Sequence, residues 1–229
     1  AKRNWTIVEH AENRVVLSIV DPDGRAGYPG NCKVTCTYEL KPDGLLCVIY
    51  DSVTDKPTIA NICQHSYFNL DGAPTADAHQ LQIRADAYLP TNDWQIPQGG
   101  PRDVTGTPFD FRTMRSMLQV ENGVRVLYDH NFCLSSERVA KREVAHAMSP
   151  ASGVNMKVLT TEPGIQFYAA FKMDVPVAGL EGRRYGPFGG FCLETQIWPD
   201  AINQKGFPKA VLRPGEMLRQ ETDYVFWKG

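Results

Sequence analysis

Residues 32–40 restrict the fold of this chain more than any other stretch, because their character alternates strictly along the chain. Cysteine, valine, tyrosine and leucine side chains fall on one face of an extended backbone, and lysine, threonine and glutamate side chains on the other. This period of two is typical of a half-buried antiparallel strand. The turn signal Pro42-Asp43-Gly44 follows, and residues 45–53 return as a second strand. The pattern therefore predicts a β-hairpin.

The rest of the chain repeats this character. Further strand patterns are found at residues 14–20, 79–88, 127–134, 154–161, 164–171, 190–196 and 210–227. Residues 21–30 and 89–107 are rich in Gly, Pro, Asn and Asp and are predicted loops, while residues 113–121 form the only predicted helix. Many short strands separated by such turns favour an all-β fold, a large antiparallel β-sandwich with at most short helices. With no repeat and no linker, we expect one domain over residues 1–229.

Composition excludes several classes of function. The net charge of −2 argues against nucleic acid or an anionic membrane as a partner, and no apolar run is long enough to span a membrane. The N-terminal residues lack the apolar core of a signal peptide. Six cysteines lie mostly in strand-like runs, with no spacing typical of metal ligands. They predict buried thiols, a cytoplasmic location and no metal site. We interpret His10, His79 and His146 as solvated surface residues.

One histidine stands out in the segment NICQHSYFNLDG, residues 61–72. Its aromatic residues favour an extended backbone, on which His65, Tyr67 and Asn69 would share one face. A histidine displayed with a phenol and an amide is typical of a site. The alternative is a core histidine satisfied by hydrogen bonds, and the local pattern does not separate the two interpretations.

Three other polar residues interrupt apolar strand patterns: Asp129, Gln166 and Glu194. Glu194 follows a glycine pair and an apolar triplet, and an unpaired buried charge is costly. The alternatives are an ion pair to an arginine for Glu194, a turn or capping role for Asp129 and a satisfied core amide for Gln166. A histidine and a carboxylate in one pocket would suit proton transfer on a small polyol. The residues alone thus predict a β-sandwich with an acid/base site for a polar small molecule.

Several segments together resemble the aldose 1-epimerase family. They are DPDGRAGYPG, CKVTCTYEL, QHSYFNLDG, YDHNF, PGIQFY, GGFCLETQIWPDAIN and FPKAVLRPGE, in the family's order over nearly the whole chain. The resemblance implies a galactose mutarotase-like β-sandwich that interconverts the anomers of aldohexoses such as galactose and glucose without a cofactor. It implies Glu194 as general base, His65 as general acid, and Asp129 and Gln166 as residues that bind sugar hydroxyls.

The resemblance begins partway into the family's sequence. We expect the domain to lack the family's N-terminal portion, which carries further sugar contacts, and we expect this portion to be able to associate as a separate chain. A catalytically silent sugar-binding relative, or a truncated fragment without function, is the alternative. A sugar-phosphate epimerase would need a basic cluster, for which Arg183-Arg184 is the candidate. A glycosidase would need Asp129 and Glu194 at a suitable separation.

Overall fold

The strands of this protein follow one another in short antiparallel steps. The computed structural model describes residues 3–229. The strands are β1 Thr6–Ala11, β2 Arg14–Asp21, β3 Cys32–Lys41, β4 Leu45–Thr54, β5 Thr58–Ile59, β6 Gln80–Ile83, β7 Ala87–Tyr88, β8 Arg102–Asp103, β9 Arg115–Ser116, β10 Val120–Glu121, β11 Val124–Arg125, β12 Asp129–Cys133, β13 Arg142–Met148, β14 Val154–Thr160, β15 Gly164–Tyr168, β16 Cys192–Gln196, β17 Val211–Leu212 and β18 Leu218–Lys228. The helices of the described residues are two 3₁₀ turns, Arg25–Gly27 and Leu180–Gly182, and neither is long or apolar enough to cross a membrane. The predicted all-β fold is confirmed.

The larger sheet has nine strands, ordered β1-β2-β3-β4-β18-β14-β13-β6-β9. The predicted hairpin is present as β3 and β4, which pair over their full length. Asp43 and Gly44 have φ values of 62° and 72° in the three-residue loop between the paired residues Lys41 and Leu45, a left-handed conformation that Asp and Gly adopt more readily than other residues. The long strand β18 joins this N-terminal meander to β14 and β13. The sheet is therefore assembled from both ends of the chain.

The smaller sheet has five strands, ordered β16-β15-β12-β7-β8. One of its faces carries Phe132, Ile165, Phe167 and Leu193, all of which are buried. These side chains share one hydrophobic core with residues of the larger sheet, and the hydroxyl of Tyr224 on β18 donates to the Leu193 carbonyl at 3.2 Å. The two sheets thus pack face to face as a β-sandwich, and the opposite face of the smaller sheet remains available for a site.

The predicted helix at residues 113–121 is wrong. Arg115 and Ser116 pair with β6 at the edge of the larger sheet, and β10 and β11 then form a hairpin. Asn122 and Gly123 have φ values of 52° and 78° in its turn, which a helix cannot contain. Here the tertiary pairing overrides a weak local preference.

Two other local interpretations need correction. Residues 135–151 have little pattern, yet they contain β13, whose neighbours β6 and β14 supply its hydrogen bonds. His79 is fully buried rather than solvated. Its Nε2 accepts from the Leu70 backbone N–H at 2.9 Å, and burial lowers its pKa. The polar sequence around His79 did not reveal this burial, because the partner comes from nine residues away.

Candidate active site

The site is built on the face of the smaller sheet that points away from the core. Opposite residues in an antiparallel sheet share a face, and the registers of β12, β15 and β16 place three rows side by side. The rows are Asp129, Tyr168 and Cys192; then Asn131, Gln166 and Glu194; then Cys133, Gly164 and Gln196. Three of the predicted site residues therefore meet, because Gln166 lies directly opposite Glu194 and one row away from Asp129.

His65 reaches this face from a separate segment, residues 60–70. The sequence predicted a strand here, but the segment is extended without regular pairing, and its only bridge joins Phe68 to Phe191 next to β16. Side-chain hydrogen bonds hold the segment in place of the backbone hydrogen bonds of a regular strand. The Gln64 Oε1 accepts from Tyr38 and Tyr50 of the larger sheet at 2.8 and 2.9 Å. Gln64 therefore holds the segment against the sandwich one residue before His65.

A second set of contacts fixes the start of the same segment. The Asn61 amide donates to the Ile197 carbonyl at 3.0 Å and its Oδ1 accepts the Ile197 N–H at 2.9 Å. The Gln220 amide donates to the Ile62 carbonyl at 2.9 Å. Because these partners lie beside β16 and in β18, the position of His65 is tied to both sheets.

His65 and Glu194 face each other across the site. The His65 Nε2 lies 3.6 Å from the Glu194 Oε1. The side chain of His65 is 49% exposed, whereas that of Glu194 is 10% exposed, so the cleft opens on the histidine side. Tyr67 packs against the imidazole at a centroid separation of 5.0 Å. The His65–Tyr67 pair on one face was predicted, and the core-histidine alternative is excluded by this exposure.

The surroundings of Glu194 strengthen it as a base. Burial raises the pKa of Glu194, and the charge of Asp129 acts in the same direction, while His65 and a hydrogen bond from Cys63 oppose the shift. Among the described residues, its ion-pair partner is His65 and not an arginine. A carboxylate that is hard to ionise in place takes up a proton readily. The arrangement can therefore accept a proton at Glu194 and supply one at His65.

Asp129 and Gln166 lie in the same hydrogen-bonded patch. The Gln166 Nε2 donates to the Asp129 Oδ1 at 2.9 Å, and its Oε1 accepts from the Gln196 amide at 3.4 Å. Asp129 is only partly buried. These polar groups form a rim beside the Glu194 carboxylate, with donors and acceptors that suit hydroxyl groups. The structure thus brings all four predicted residues, His65, Asp129, Gln166 and Glu194, to one cleft.

The cleft has three further members, and sequence reasoning missed the two thiols among them. The Cys63 thiol donates to the Glu194 Oε2 at 3.4 Å, and the Cys192 Sγ lies 3.5 Å from the His65 Nδ1. Tyr168 stands edge-on to His65 at 6.2 Å between ring centroids. A signal was present, because Tyr168 and Cys192 each lie two residues from a predicted site residue on the same strand. The thiols were interpreted only as core side chains.

A cavity of about 990 Å³ adjoins the cleft on the side of Tyr67. Lys172, Arg183 and Arg184 are among its lining residues. Arg183 is already engaged, since it donates to the Gly72 carbonyl at 2.9 Å and pairs with Glu181 at 2.9 Å. Of the pair Arg183-Arg184, which the sequence offered as a phosphate site, at least Arg183 is therefore already held by other groups of the protein.

The fold and the cleft define a β-sandwich protein whose cleft pairs a histidine with a glutamate and is lined by hydrogen-bonding side chains. Comparison with known proteins identifies the family of the chain. The model of the family "Aldose 1-epimerase" matches residues 1–225, and the chain belongs to this family. It therefore belongs to a family that acts on sugars.

Individual proteins of this family are also similar to the chain in sequence. The chain is 42% identical to galactose mutarotase of Rattus norvegicus over 225 residues, which cover 97% of this chain and 65% of the rat protein. It is 37% identical to aldose 1-epimerase of Escherichia coli over 234 residues, covering 98% of this chain and 67% of that protein. The chain thus spans about two thirds of the length of these relatives.

Solved structures show the same fold. The crystal structure of a GalM/aldose epimerase homologue from C. elegans superposes with a TM-score of 0.91 at 29% identity, over 99% of this chain and 69% of that one. Galactose 1-epimerase from Lactobacillus acidophilus gives a TM-score of 0.81 at 30% identity, over 98% and 67%. The predicted galactose mutarotase-like sandwich is therefore confirmed.

Proposed function

We propose that this chain is an aldose 1-epimerase that interconverts the α and β anomers of aldohexoses such as galactose and glucose. Glu194 accepts the proton of the C1 hydroxyl while His65 donates a proton to the ring oxygen. The bond between C1 and the ring oxygen then breaks to give the free aldehyde. Rotation about C1–C2 presents the other face of the carbonyl, and closure with the two roles reversed gives the other anomer.

The observation that carries this proposal is the separation of 3.6 Å between the His65 Nε2 and the Glu194 Oε1. The ring oxygen and the C1 hydroxyl are both bonded to C1, so an acid and a base must reach neighbouring atoms of one sugar. Two groups at hydrogen-bonding range of the same small region meet that condition. Asp129 and Gln166 would then bind other hydroxyls of the ring and fix its orientation.

Polarimetry of freshly dissolved α-D-galactose tests the proposal. The chain should accelerate the decay of optical rotation above the uncatalysed rate. Glu194→Gln and His65→Asn should each lower the catalysed rate about 10²- to 10⁴-fold, because each removes one partner of a general acid–base pair. Asp129→Asn should act mainly through KM if the residue binds a sugar hydroxyl.

Matched controls separate chemistry from folding. Glu221→Gln changes a partly exposed carboxylate of β18, and His146→Asn changes a half-buried histidine of β13, so both leave the cleft intact. Both should keep the catalysed rate. Normal turnover in a folded double variant of Glu194 and His65 would refute the proposed roles. Saturable binding of galactose without any acceleration would instead identify a silent sugar-binding relative.

We place this activity in the cytoplasm. All six cysteines, which lie among the described residues, are free thiols, and thiols persist in reducing compartments. We also propose that a further strand of family type pairs with the free edge of β1. Its support is the outer edge of the nine-stranded sheet, where Ile7 and Val8 are 63% and 62% exposed, since an unpaired apolar edge recruits further strands.

A further inference from the structure

Metal-ligating side chains converge at the floor of the cleft. His65, Cys192 and Glu194 each offer a ligand atom, and the three atoms lie within 4.8 Å of one another. The Cys192 Sγ lies 3.5 Å from the His65 Nδ1, and the Glu194 Oε1 lies 3.6 Å from the other ring nitrogen, Nε2. These residues come from two separated segments, so the convergence is a property of the fold.

The donor set selects a class of metal ion. One nitrogen, one sulfur and one oxygen suit a borderline-soft cation such as Zn²⁺, whereas Mg²⁺ and Ca²⁺ prefer oxygen ligands alone. Three protein ligands leave the fourth tetrahedral position open. His65 is the exposed member of the set, so the open position faces the cleft and is reached from solvent.

The distances fit such an ion after a small movement. Bond lengths of about 2.0–2.3 Å place tetrahedral zinc ligands roughly 3.4–3.6 Å apart. The three ligand atoms lie within 4.8 Å of one another, so the set must contract by about 1 Å to hold the ion. His65 has room to approach the ion, because half of its side chain is exposed, whereas Cys192 and Glu194 are buried.

The charge around the floor also favours a cation. Asp129 lies one row from Glu194 on the same face of the sheet, and it accepts a hydrogen bond from Gln166, the residue opposite Glu194. Cys63 donates to the second oxygen of Glu194 at 3.4 Å and so orients the ligand, as outer partners do in metal sites. Among the described residues, no lysine or arginine pairs with Glu194 or Asp129 to compete with an ion.

We propose that His65, Cys192 and Glu194 form an inhibitory site for a soft divalent cation, Zn²⁺ in the first instance. The Cys192 thiol releases its proton to solvent and binds as thiolate, and the ion holds both members of the acid–base pair. The expected inhibition of catalysis rests on the proposed function. The binding of the ion itself does not rest on that function, because it depends only on the three ligands.

Titration of the reduced 229-residue chain with Co²⁺ tests the site directly. Cobalt should bind at one equivalent and produce a thiolate-to-metal charge-transfer absorption, and Zn²⁺ should abolish the absorption by displacement. Cys192→Ala should remove the absorption and weaken zinc binding in calorimetry at least about tenfold, since even the loss of an outer partner typically costs 10–100-fold. His65→Asn should weaken binding as well, and this variant changes an exposed side chain that folding does not need.

The matched control is Cys32→Ala, which removes a half-buried thiol of β3 on the other sheet and should leave both signals unchanged. In polarimetry, Zn²⁺ should inhibit competitively with galactose, and each variant is compared with its own rate without metal. An absorption that persists in Cys192→Ala, or its absence from the unaltered chain, overturns the metal site. Cobalt binding in a chain without mutarotation supports the metal site and contradicts the proposed function instead.

Discussion

At the scale of single residues, the cleft depends on unequal surroundings for two titrating side chains. Glu194 is enclosed by the sheet and by Cys63, while His65 is half exposed. Burial raises the pKa of Glu194, and the negative charge of Asp129 adds to the shift. The proposed base and the proposed acid therefore lie in different environments, and environment is what separates the roles of two titrating groups in one site.

The pH dependence of the catalysed rate should reflect the raised pKa of Glu194. The base must be ionised, so kcat/KM should fall on the acid side at a pH above the ordinary pKa of a glutamate. Asp129→Asn removes a charge that raises the pKa of Glu194 and should move this limb to lower pH. Cys63→Ala removes a hydrogen bond that lowers the pKa and should move it to higher pH. Polarimetry across the acid range gives both shifts, with Glu221→Gln as the unshifted control; shifts of the opposite sign would contradict this assignment of the base.

At the scale of elements, the sequence predicted strands well where alternation is strict and poorly where partners are remote. β14, β15 and β16 lie within their predicted stretches, and β3 and β4 each extend one residue beyond theirs, because one buried face leaves a period of two. The segment that carries His65 is held by Gln64, Asn61 and Gln220, and no local pattern specifies those contacts. Asp129, Gln166 and Glu194 could be found as polar interruptions of strands, whereas the role of Cys192 depends on the distant His65.

Gln64 should matter to both folding and activity. Gln64→Leu would leave the hydroxyls of Tyr38 and Tyr50 without their acceptor, which costs about 1–3 kcal/mol of the free energy of unfolding. The catalysed rate should fall as well, because the residue after Gln64 is His65. Urea denaturation and polarimetry measure the two effects. Tyr38→Phe removes one donor only and should cost less on both readouts; equal losses in the two variants would show that Gln64 does not position the segment.

At the scale of the molecule, the two sheets share one core, and the site lies on the far face of the smaller sheet. Phe167 lies on the core face of β15, between Gln166 and Tyr168 of the site. The core that holds the two sheets together therefore also supports the strand that carries the site residues Gln166 and Tyr168. That the chain folds as one domain over residues 1–229 stays a prediction.

Phe167→Ala should destabilise the whole sandwich by about 3–5 kcal/mol, the cost of a large cavity in a packed core. Unfolding followed by tryptophan fluorescence gives this value, and the mutarotation rate should drop in the same preparation as Gln166 and Tyr168 lose their support. Val124→Ala, an exposed change in the β10–β11 hairpin, should stay within about 0.5 kcal/mol of the unaltered protein. A loss of under 1 kcal/mol for Phe167→Ala would show that the two sheets are not coupled through this ring.

The matched rows on β12, β15 and β16 have a consequence for how such a gene can vary. An extra codon within β16 would turn Leu193 or Thr195 toward the cleft and bury Glu194 among phenylalanines, so cleft and core would be lost together. The same codon at residues 92–100, between β7 and β8, would disturb neither pattern. Viable length changes in this family should therefore accumulate between the strands, while the three rows keep their spacing to the residue.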